Sequence, residues 1–486
     1  MQISLFDGSQ RFKIDKPIRL IELFAGYGSQ ALALKYLGVT FEHHRIAEWT
    51  IKSTQAYKDL HFQNDNTDYS QEFSVDYLID YLCEKGISQN YSEPMTKEQI
   101  KRLGEEKIRT AYNNIMATHN LVSVCTAKGK DLGIADTDKF TYVLTYSFPC
   151  QDLSSAGKGA GMAKWSGTRS GLLWEVERLL DECEELPQVL LMENVPEVIG
   201  SKNIKHFAKW VEFLDKLGYH SKWGLLNAKD FGIAQNRSRC FMVSILGDYY
   251  YDMPTGFKLE YVLKDFLDKK VDESYYLKDE TIRSLNLHKE RHEAQGHGFG
   301  WKPSNGVGVS LIQLKPKADI DQTVTLLLSN QGKRIEKVGT DVANTIMARD
   351  YKGFGNQAMN AVMEAPLRNR ADGITLNRSK NFERPPLPNL SRTLDTSTCG
   401  NDAPRNGVKL IEQNYRVRKL TERECFKLMG VKQEDFEKLR KNQSKSSCYH
   451  LAGDSIVTTV LMAIFGQMFD INWKAKINEM VEEIIK

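Results

Sequence analysis

The sequence predicts an α/β protein in which helices cover both faces of a mostly parallel sheet, followed by a smaller domain of different character. Short apolar, β-branched runs alternate with segments of helical periodicity through the first half of the chain. A turn containing Gly26 and Gly28 joins the first strand to the first helix, as in nucleotide-binding folds. The alternation stops at Lys269, where glycine-rich polar segments begin. The first two observations predict the α/β fold, and the third predicts a second domain.

Composition narrows the class of protein. The 486 residues suffice for two or more domains, and a net charge of only +3 means that nucleic-acid contacts must come from a local basic patch. The eight cysteines never form a C-x-x-C pattern, which argues against a zinc ribbon or disulfide scaffold and predicts no metal site. Residues 1–16 lack an apolar signal core, and we expect no later segment to span a bilayer. A cytoplasmic protein is therefore expected.

The first two predicted strands carry features of a cofactor site. The strand from Ile18 to Phe24 leads into the glycine turn, and the strand from Phe41 to Ala47 ends at Glu48. An acidic residue about 20 positions after such a turn is suited to bind ribose hydroxyls. Trp49 beside it fits either an adenine stack or the core. Together they predict an adenosine-containing cofactor without identifying it.

Residues 68–120 interrupt the alternation and are predicted to form a helical insertion. Thr96 and Gln99 have the spacing of a capping box and predict the start of a long helix toward Met116. The charged face of this helix fits a solvated surface, so no chemistry is assigned to it.

The third predicted strand, Thr141 to Tyr146, ends at a cysteine. Pro149 cannot donate to a ladder, so Cys150 is expected in a loop at the carboxyl end of the strand, where ligands bind in open α/β sheets. A thiol at this place, followed by the glycines at 157, 159 and 161, suggests a nucleophile that lies beneath a mobile loop. A buried structural cysteine is the alternative, and this residue alone does not decide between them.

Charged residues mark two further strand ends. Glu193 follows the apolar run from Val189 to Met192, where it fits either a site or a helix cap. Arg237 and Arg239 alternate before the strand that starts at Cys240, which puts both on one strand face. Adjacent guanidiniums repel unless anions or carbonyl oxygens meet them, so the pair favours a site over plain surface.

The order of these motifs resembles that of the DNA (cytosine-5) methyltransferases of prokaryotes and phages. The resemblance extends from Ile18 to Phe469 and implies a Rossmann-like fold that uses S-adenosyl-L-methionine, with a mostly-β target-recognition domain. It rests on the segments Phe24-Ala25-Gly26-Tyr27-Gly28, Pro149-Cys150-Gln151, Glu193-Asn194-Val195, Gln235-Asn236-Arg237-Ser238-Arg239, Arg418 to Cys425 with Leu428-Met429-Gly430, and Ala452 to Val457.

The resemblance implies roles for individual residues. Cys150 would attack C6 of a flipped-out cytosine, Glu193 would hold a proton at the ring nitrogen, and Arg239 would contact the base carbonyl oxygen. Arg237 would support the loop or a phosphate, and Gln151 would approach the vacated stack. The implied cofactor contacts are Phe24, Gly26, Tyr27, Glu48, Trp49, Pro149, Leu172 and Ile456, together with two departures from the family pattern, Ser123-Val124 for an acidic residue and Asp454 for asparagine.

The resemblance also implies partners and boundaries. We expect residues 1–268 to form the catalytic domain, 269–440 the target-recognition domain, and 441–486 a segment that returns to the first domain. Duplex DNA is the expected substrate, and the protein is expected to act as a monomer. It would belong to a restriction–modification system, with a separately encoded endonuclease as its partner, or be an orphan enzyme. The alternatives are a methyltransferase acting on tRNA cytosine and a catalytically silent DNA-binding relative.

Overall fold

A computed structural model describes residues 9–149, 153, 162, 164, 169–276 and 416–486, together with strand residues 323–328, 343–344 and 359–364. These residues divide into two compact units. The first contains the described residues up to Phe266 and Glu422–Lys486, and the second contains those between Leu267 and Thr421. The first unit carries almost all of the predicted site.

A six-stranded sheet forms the centre of the first unit. Its strands are β1 (Ile18–Leu23), β2 (Phe41–Ala47), β3 (Thr141–Tyr146), β4 (Val189–Asn194), β5 (Tyr219–Asn227) and β6 (Ser238–Leu246). They lie in the order β2-β1-β3-β4-β6-β5. The first four are parallel, whereas β6 runs antiparallel to both of its neighbours. The carboxyl ends of β1 to β4 and the amino end of β6 therefore meet at one edge. The predicted α/β fold is confirmed.

Helices cover both faces of this sheet. Among the described residues they are α1 (Ser29–Leu37), α2 (Ile51–His61), α3 (Val75–Lys85), α4 (Lys97–Lys101), α5 (Glu105–Ala117), α6 (Leu173–Asp181), α7 (Ile204–Lys216), α8 (Leu263–Phe266), α9 (Glu422–Lys427), α10 (Gln433–Arg440), α11 (Lys445–Asp454), α12 (Thr458–Phe469) and α13 (Trp473–Ile485). Short 3₁₀ turns lie at Gly129–Leu132, Arg169–Leu172, Pro196–Ile199, Ala228–Phe231 and Glu273–Tyr275. Two-residue strands lie at Gln10–Arg11, Gln235–Asn236, Tyr249–Tyr250 and Ala343–Asn344.

The insertion between α2 and β3 is helical, with its own apolar core. The capping box of Thr96 and Gln99 is present at the start of α4. The single long helix expected after it is instead two helices, because Gly104 at φ 84° separates α4 from α5. Apolar side chains of α3, α4 and α5 bury one another, and Trp49 of the sheet edge packs partly against them.

The chain returns to the first unit earlier than the sequence indicated. We expected the return at Lys441, whereas among the described residues it begins at Glu422. The reason is the packing of α9, whose Phe426 ring lies 5.6 Å from the ring of Tyr27 in the glycine turn. Leu428 and Met429 after α9 are fully buried, which adds to the apolar contact.

The stretch Lys445–Phe469 has the length and composition of a membrane span, although we expected no such segment. However, 89% of its most apolar window is buried inside the protein. Its second half, α12, packs along α1 and against α13. A Cβ at Gly466 would lie 2.5 Å from the Cβ of Trp473, so glycine permits the close approach of these helices. Burial within the fold accounts for its apolar character.

The described part of the second unit contains an antiparallel sheet. Its strands are β7 (Thr323–Leu328), β8 (Met359–Glu364) and β9 (Arg416–Lys419), in the order β7-β8-β9. All six residues of β7 pair with β8, and the four of β9 pair with its other side. This sheet agrees with the expected mostly-β character of the second region.

Candidate active site

The turn after β1 has a backbone that few residues adopt. Phe24, Gly26 and Gly28 all have positive φ, at 60°, 58° and 83°. The amides of Phe24 and Ala25 both donate to the carbonyl oxygen of Ala47 at the end of β2, at 2.8 and 3.3 Å. These bonds hold the turn against the adjacent strand end and leave the backbone of Gly26 close to any ligand at the edge.

Glu48 lies beside this turn and is firmly positioned. One carboxylate oxygen accepts from the amide of Gly26 at 2.9 Å, and the other accepts from the amide and hydroxyl of Thr50 at 2.8 and 2.7 Å. Burial raises the pKa of Glu48, against the effect of these hydrogen bonds. Asn120 fixes the backbone, since it accepts from the Glu48 amide at 3.0 Å and donates to the Glu48 carbonyl at 2.8 Å.

The other predicted cofactor residues near this edge differ in exposure. Trp49 is half-buried, with one side against the insertion. The side chain of Tyr27 is fully buried against Phe426, so only its backbone can face a ligand. Of the expected cofactor contact at Tyr27, only a contact through the backbone therefore remains. The sequence of the turn did not indicate that α9 would cover this side chain.

The segment with Ser123 and Val124 follows the outer edge of β2. The amide of Leu121 donates to the carbonyl of Ile46 at 2.8 Å, which extends the sheet by one bridge. The hydroxyl of Ser123 accepts from the amide of Cys125 at 3.2 Å, in a local turn. Val124 is buried in the core under the sheet. Ser123 thus reaches the expected edge, whereas the side chain of Val124 faces the interior.

The strand end before the predicted nucleophile is anchored by two side chains. Cys150 and Gln151 themselves lie outside the described residues. The carbonyl oxygen of Phe148 accepts from the side-chain amide of Asn194 at 2.9 Å, and that of Pro149 accepts from the hydroxyl of Ser170 at 2.8 Å. Both donors are buried, so the backbone leading to residue 150 is fixed at the carboxyl edge of β3.

Glu193 and Arg239 form a buried ion pair at the same edge. The Nε of Arg239 lies 3.2 Å from a carboxylate oxygen of Glu193, and both side chains are more than four-fifths buried. Burial raises the pKa of Glu193, while the charges of Arg239 and Arg237 oppose that shift. The antiparallel direction of β6 brings Arg239 to this edge, which strand order alone did not predict.

Arg237 contacts the returning part of the chain. It is buried, and its Nη2 donates to the carbonyl oxygens of Gly453 and Ser455 at 3.0 and 2.7 Å. The guanidinium therefore holds the chain at the end of α11. The positive charge of Arg237 is balanced by carbonyl oxygens because the chain around Gly453 and Ser455 packs over this guanidinium.

The last motif joins the first one in space. A Cβ at Gly26 would lie 3.7 Å from the hydroxyl oxygen of Ser455, so the end of α11 faces the glycine turn. Asp454 is exposed there, and Ile456 is buried beside it. Leu172 is half-buried against the sheet core, near the anchored Pro149 end of β3.

Three buried residues position the site without having been predicted to do so: Asn120, Ser170 and Asn194. Asn194 belongs to a recognised segment, and its place after Glu193 is a signal that sequence could have used. Asn120 and Ser170 give no such signal, since their partners lie 72 and 21 residues away along the chain.

Comparisons with known proteins identify relatives for this arrangement. Residues 85–470 match the family model described as C-5 cytosine-specific DNA methylase. The orphan methyltransferase M.SssI of Spiroplasma monobiae is 38% identical over 53% of this chain and 67% of its own length. The type II methyltransferase M2.ScrFI of Lactococcus lactis is 28% identical over 93% of this chain and 99% of its own. The crystal structure of S. pombe Dnmt2 methyltransferase matches with a TM-score of 0.49 and 16% identity, over 93% of this chain and 98% of its own.

Proposed function

The chain belongs to the family of C-5 cytosine-specific DNA methylases, and we propose that it transfers a methyl group from S-adenosylmethionine to C5 of a flipped-out cytosine in duplex DNA. The observation that carries this proposal is the buried pair of Glu193 and Arg239 at the sheet edge. The anchored strand end before Cys150 lies at that edge too. A carboxyl group, a guanidinium and a thiol are the three groups that the reaction requires.

The residues around the glycine turn fit S-adenosylmethionine. Glu48 offers a fixed carboxylate to ribose hydroxyls, and Gly26 leaves the space that a side chain would fill. Trp49, Pro149, Leu172 and Ile456 would add apolar contact. When bound, the sulfonium supplies an electrophilic methyl group.

The protein's own groups make the cytosine reactive. The thiolate of Cys150 would add to C6 of the base, forming a C–S bond and moving the electron pair of the C5–C6 double bond toward C5. C5 then becomes nucleophilic and can be methylated. Transfer of the C5 proton to water would then re-form the C5–C6 double bond and break the C–S bond, which releases the thiolate. The target base must leave the stack for this attack, because a stacked cytosine hides C6.

Glu193 would hold the proton that balances this charge at the ring nitrogen, and Arg239 would meet the carbonyl oxygen. Burial keeps the pKa of Glu193 above its ordinary value, which favours the protonated form that donates. If Arg239 turns toward a bound base, the carboxyl loses its strongest opposing charge. Its pKa then rises further, so base binding itself would promote protonation.

The second unit would supply sequence recognition, and the region 269–440 that we expected for this role overlaps most of it. Bisulfite sequencing of DNA from cells that express the protein would reveal which cytosines are modified. A protein of a restriction–modification system would protect its site from a separately encoded endonuclease, whereas an orphan enzyme would have no such partner.

A matched pair of variants tests the chemistry. In Cys150→Ala, transfer of a tritiated methyl group to duplex DNA should fall below detection while S-adenosylhomocysteine still binds. Cys125→Ala, which removes an exposed thiol from the Ser123 segment, is the control and should retain activity. Transfer by Cys150→Ala at the wild-type rate would refute the proposal. If the wild type methylates tRNA but not DNA, the substrate is tRNA and not duplex DNA.

A further inference from the structure

The loop between α3 and α4 of the insertion is attached to the proposed cofactor edge. The amide of Ser88 donates to the carbonyl of Trp49 at 2.7 Å, and the amide of Ile51 donates to the carbonyl of Ser88 at 3.0 Å. These two bonds form a parallel bridge at Thr50, whose hydroxyl and amide hold the Glu48 carboxylate. The insertion therefore contacts the chain within two residues of Glu48, the residue proposed to bind the ribose.

The same loop has a turn that holds Tyr91 in an uncommon conformation. The side-chain oxygen of Asn90 accepts from the amides of Ser92 and Glu93 at 3.0 and 3.3 Å, and the hydroxyl of Ser88 donates to the carbonyl of Glu93 at 2.7 Å. Tyr91 between them has φ 61°. A left-handed conformation is unfavourable for a tyrosine and persists where the surroundings determine it, often at ligand sites.

Tyr91 reaches across to the returning chain. Its ring stacks on His450 of α11, with centroids 5.5 Å apart and planes 16° from parallel. His450 lies four residues before Asp454, so this stack joins the insertion to the last motif. Tyr91 thus lies between the two segments that carry Glu48 and Asp454.

The hydroxyl of Tyr91 is buried and has no hydrogen-bond partner among the described residues. The hydroxyls of Ser53 and Thr50 lie close to it and lower its pKa. Burial raises the pKa of Tyr91, and the carboxylates of Glu48 and Asp454 raise it further, so the group remains a neutral donor. A buried, unpaired hydroxyl is costly and often marks the place of an absent ligand atom.

We propose that Tyr91 is a cofactor-binding residue supplied by the insertion, and that its hydroxyl donates a hydrogen bond to the ribose of S-adenosylmethionine beside Glu48. This inference rests on the proposed function. A ribose hydroxyl both donates and accepts, so it can donate to the Glu48 carboxylate while accepting from Tyr91. The insertion, to which the sequence assigned no chemistry, then forms one wall of the site.

The test compares Tyr91→Phe with Tyr77→Phe, which removes an exposed hydroxyl from α3 of the same insertion. Binding of S-adenosylhomocysteine to the full-length protein is measured by calorimetry. Loss of one neutral hydrogen bond should weaken binding by Tyr91→Phe about 3- to 10-fold. Tyr77→Phe should bind as tightly as the wild type.

Two further measurements separate this contact from a structural role. Without ligand, the melting temperature of Tyr91→Phe should equal or exceed that of the wild type, because the removed hydroxyl has no partner to lose. 5′-Methylthioadenosine, which keeps the ribose but lacks the amino-acid part, should lose the same factor in affinity as S-adenosylhomocysteine. A loss with S-adenosylhomocysteine alone would move the contact to the amino-acid part and overturn the assignment.

The outcomes also separate this inference from the proposed function. If the wild type binds S-adenosylhomocysteine and Tyr91→Phe binds it equally well, the role of Tyr91 is refuted while the proposed function stands. If the wild type binds neither ligand, both are refuted.

Discussion

Replacement of Glu22 by glutamine should remove a pH dependence of stability that the structure predicts. Glu22 lies in β1 against the start of α1, and the residue is 1% exposed. The Tyr57 hydroxyl lies 2.6 Å from one carboxyl oxygen, and the amide of Ala31 donates to the other at 3.3 Å. Burial raises the pKa of Glu22 from 4.5 to about 7, against these hydrogen bonds.

The sign follows from comparing the folded and unfolded states. The folded state holds this proton more tightly, so the stabilising contribution is complete below about pH 4.5 and is lost as the pH rises through about 7. The full shift corresponds to about 3 kcal/mol. Between pH 5.5 and 8.5 the free energy of unfolding should fall by about 2 kcal/mol on account of this residue alone.

Glutamine can replace the protonated carboxyl. The Tyr57 hydroxyl also lies 2.9 Å from Nδ1 of His43, whose pKa burial lowers to about 4. A glutamine amide can donate to the tyrosine oxygen, as the protonated carboxyl would, and leave the tyrosine to donate to neutral His43. Glu22→Gln should therefore keep the network without a group that titrates.

Urea denaturation at pH 5.5 and 8.5, followed by tryptophan fluorescence, measures the effect. The difference in unfolding free energy between wild type and Glu22→Gln should change by about 2 kcal/mol in favour of the variant at the higher pH. Glu84→Gln, an exposed change on α3, should give the same difference at both values. A Glu22 difference that stays constant with pH, or that changes in the opposite direction, would refute the reasoning.

Three other substitutions test parts of the site. Glu193→Gln should lower methyl transfer at least about 100-fold with little change in the affinity for S-adenosylhomocysteine, since it would remove the proposed proton donor and not a proposed cofactor contact; equal rates would contradict the proposed role. Arg237→Met should lower the free energy of unfolding by about 2 to 3 kcal/mol, because two buried carbonyls lose a charged donor; unchanged urea denaturation would contradict this. Gly28→Ala should destabilise by at least about 2 kcal/mol, because its Cβ would lie 2.5 Å from Nε2 of His61. Gly38→Ala, also at positive φ but in open space, should cost only about 1 kcal/mol and serves as the control.

The sequence by itself determined the α/β fold, the family and the strand ends at which Gly26, Glu48 and Glu193 stand. The fold and the strand ends depend on local rules, because strand and helix periodicity and turn chemistry act over a few residues. The family follows from the resemblance of the motifs and their order along the chain. The roles of Cys150 and Gln151 remain predictions, supported by the anchored strand end before them.

Tertiary structure decided which side chains meet. Arg237 binds the carbonyl of Ser455 from 218 positions away, the returning chain begins at Glu422, and α9 covers Tyr27. Tyr91 acquired its place between two distant motifs in the same way. Such contacts depend on how separate apolar faces pack together, and no spacing along the chain encodes that geometry.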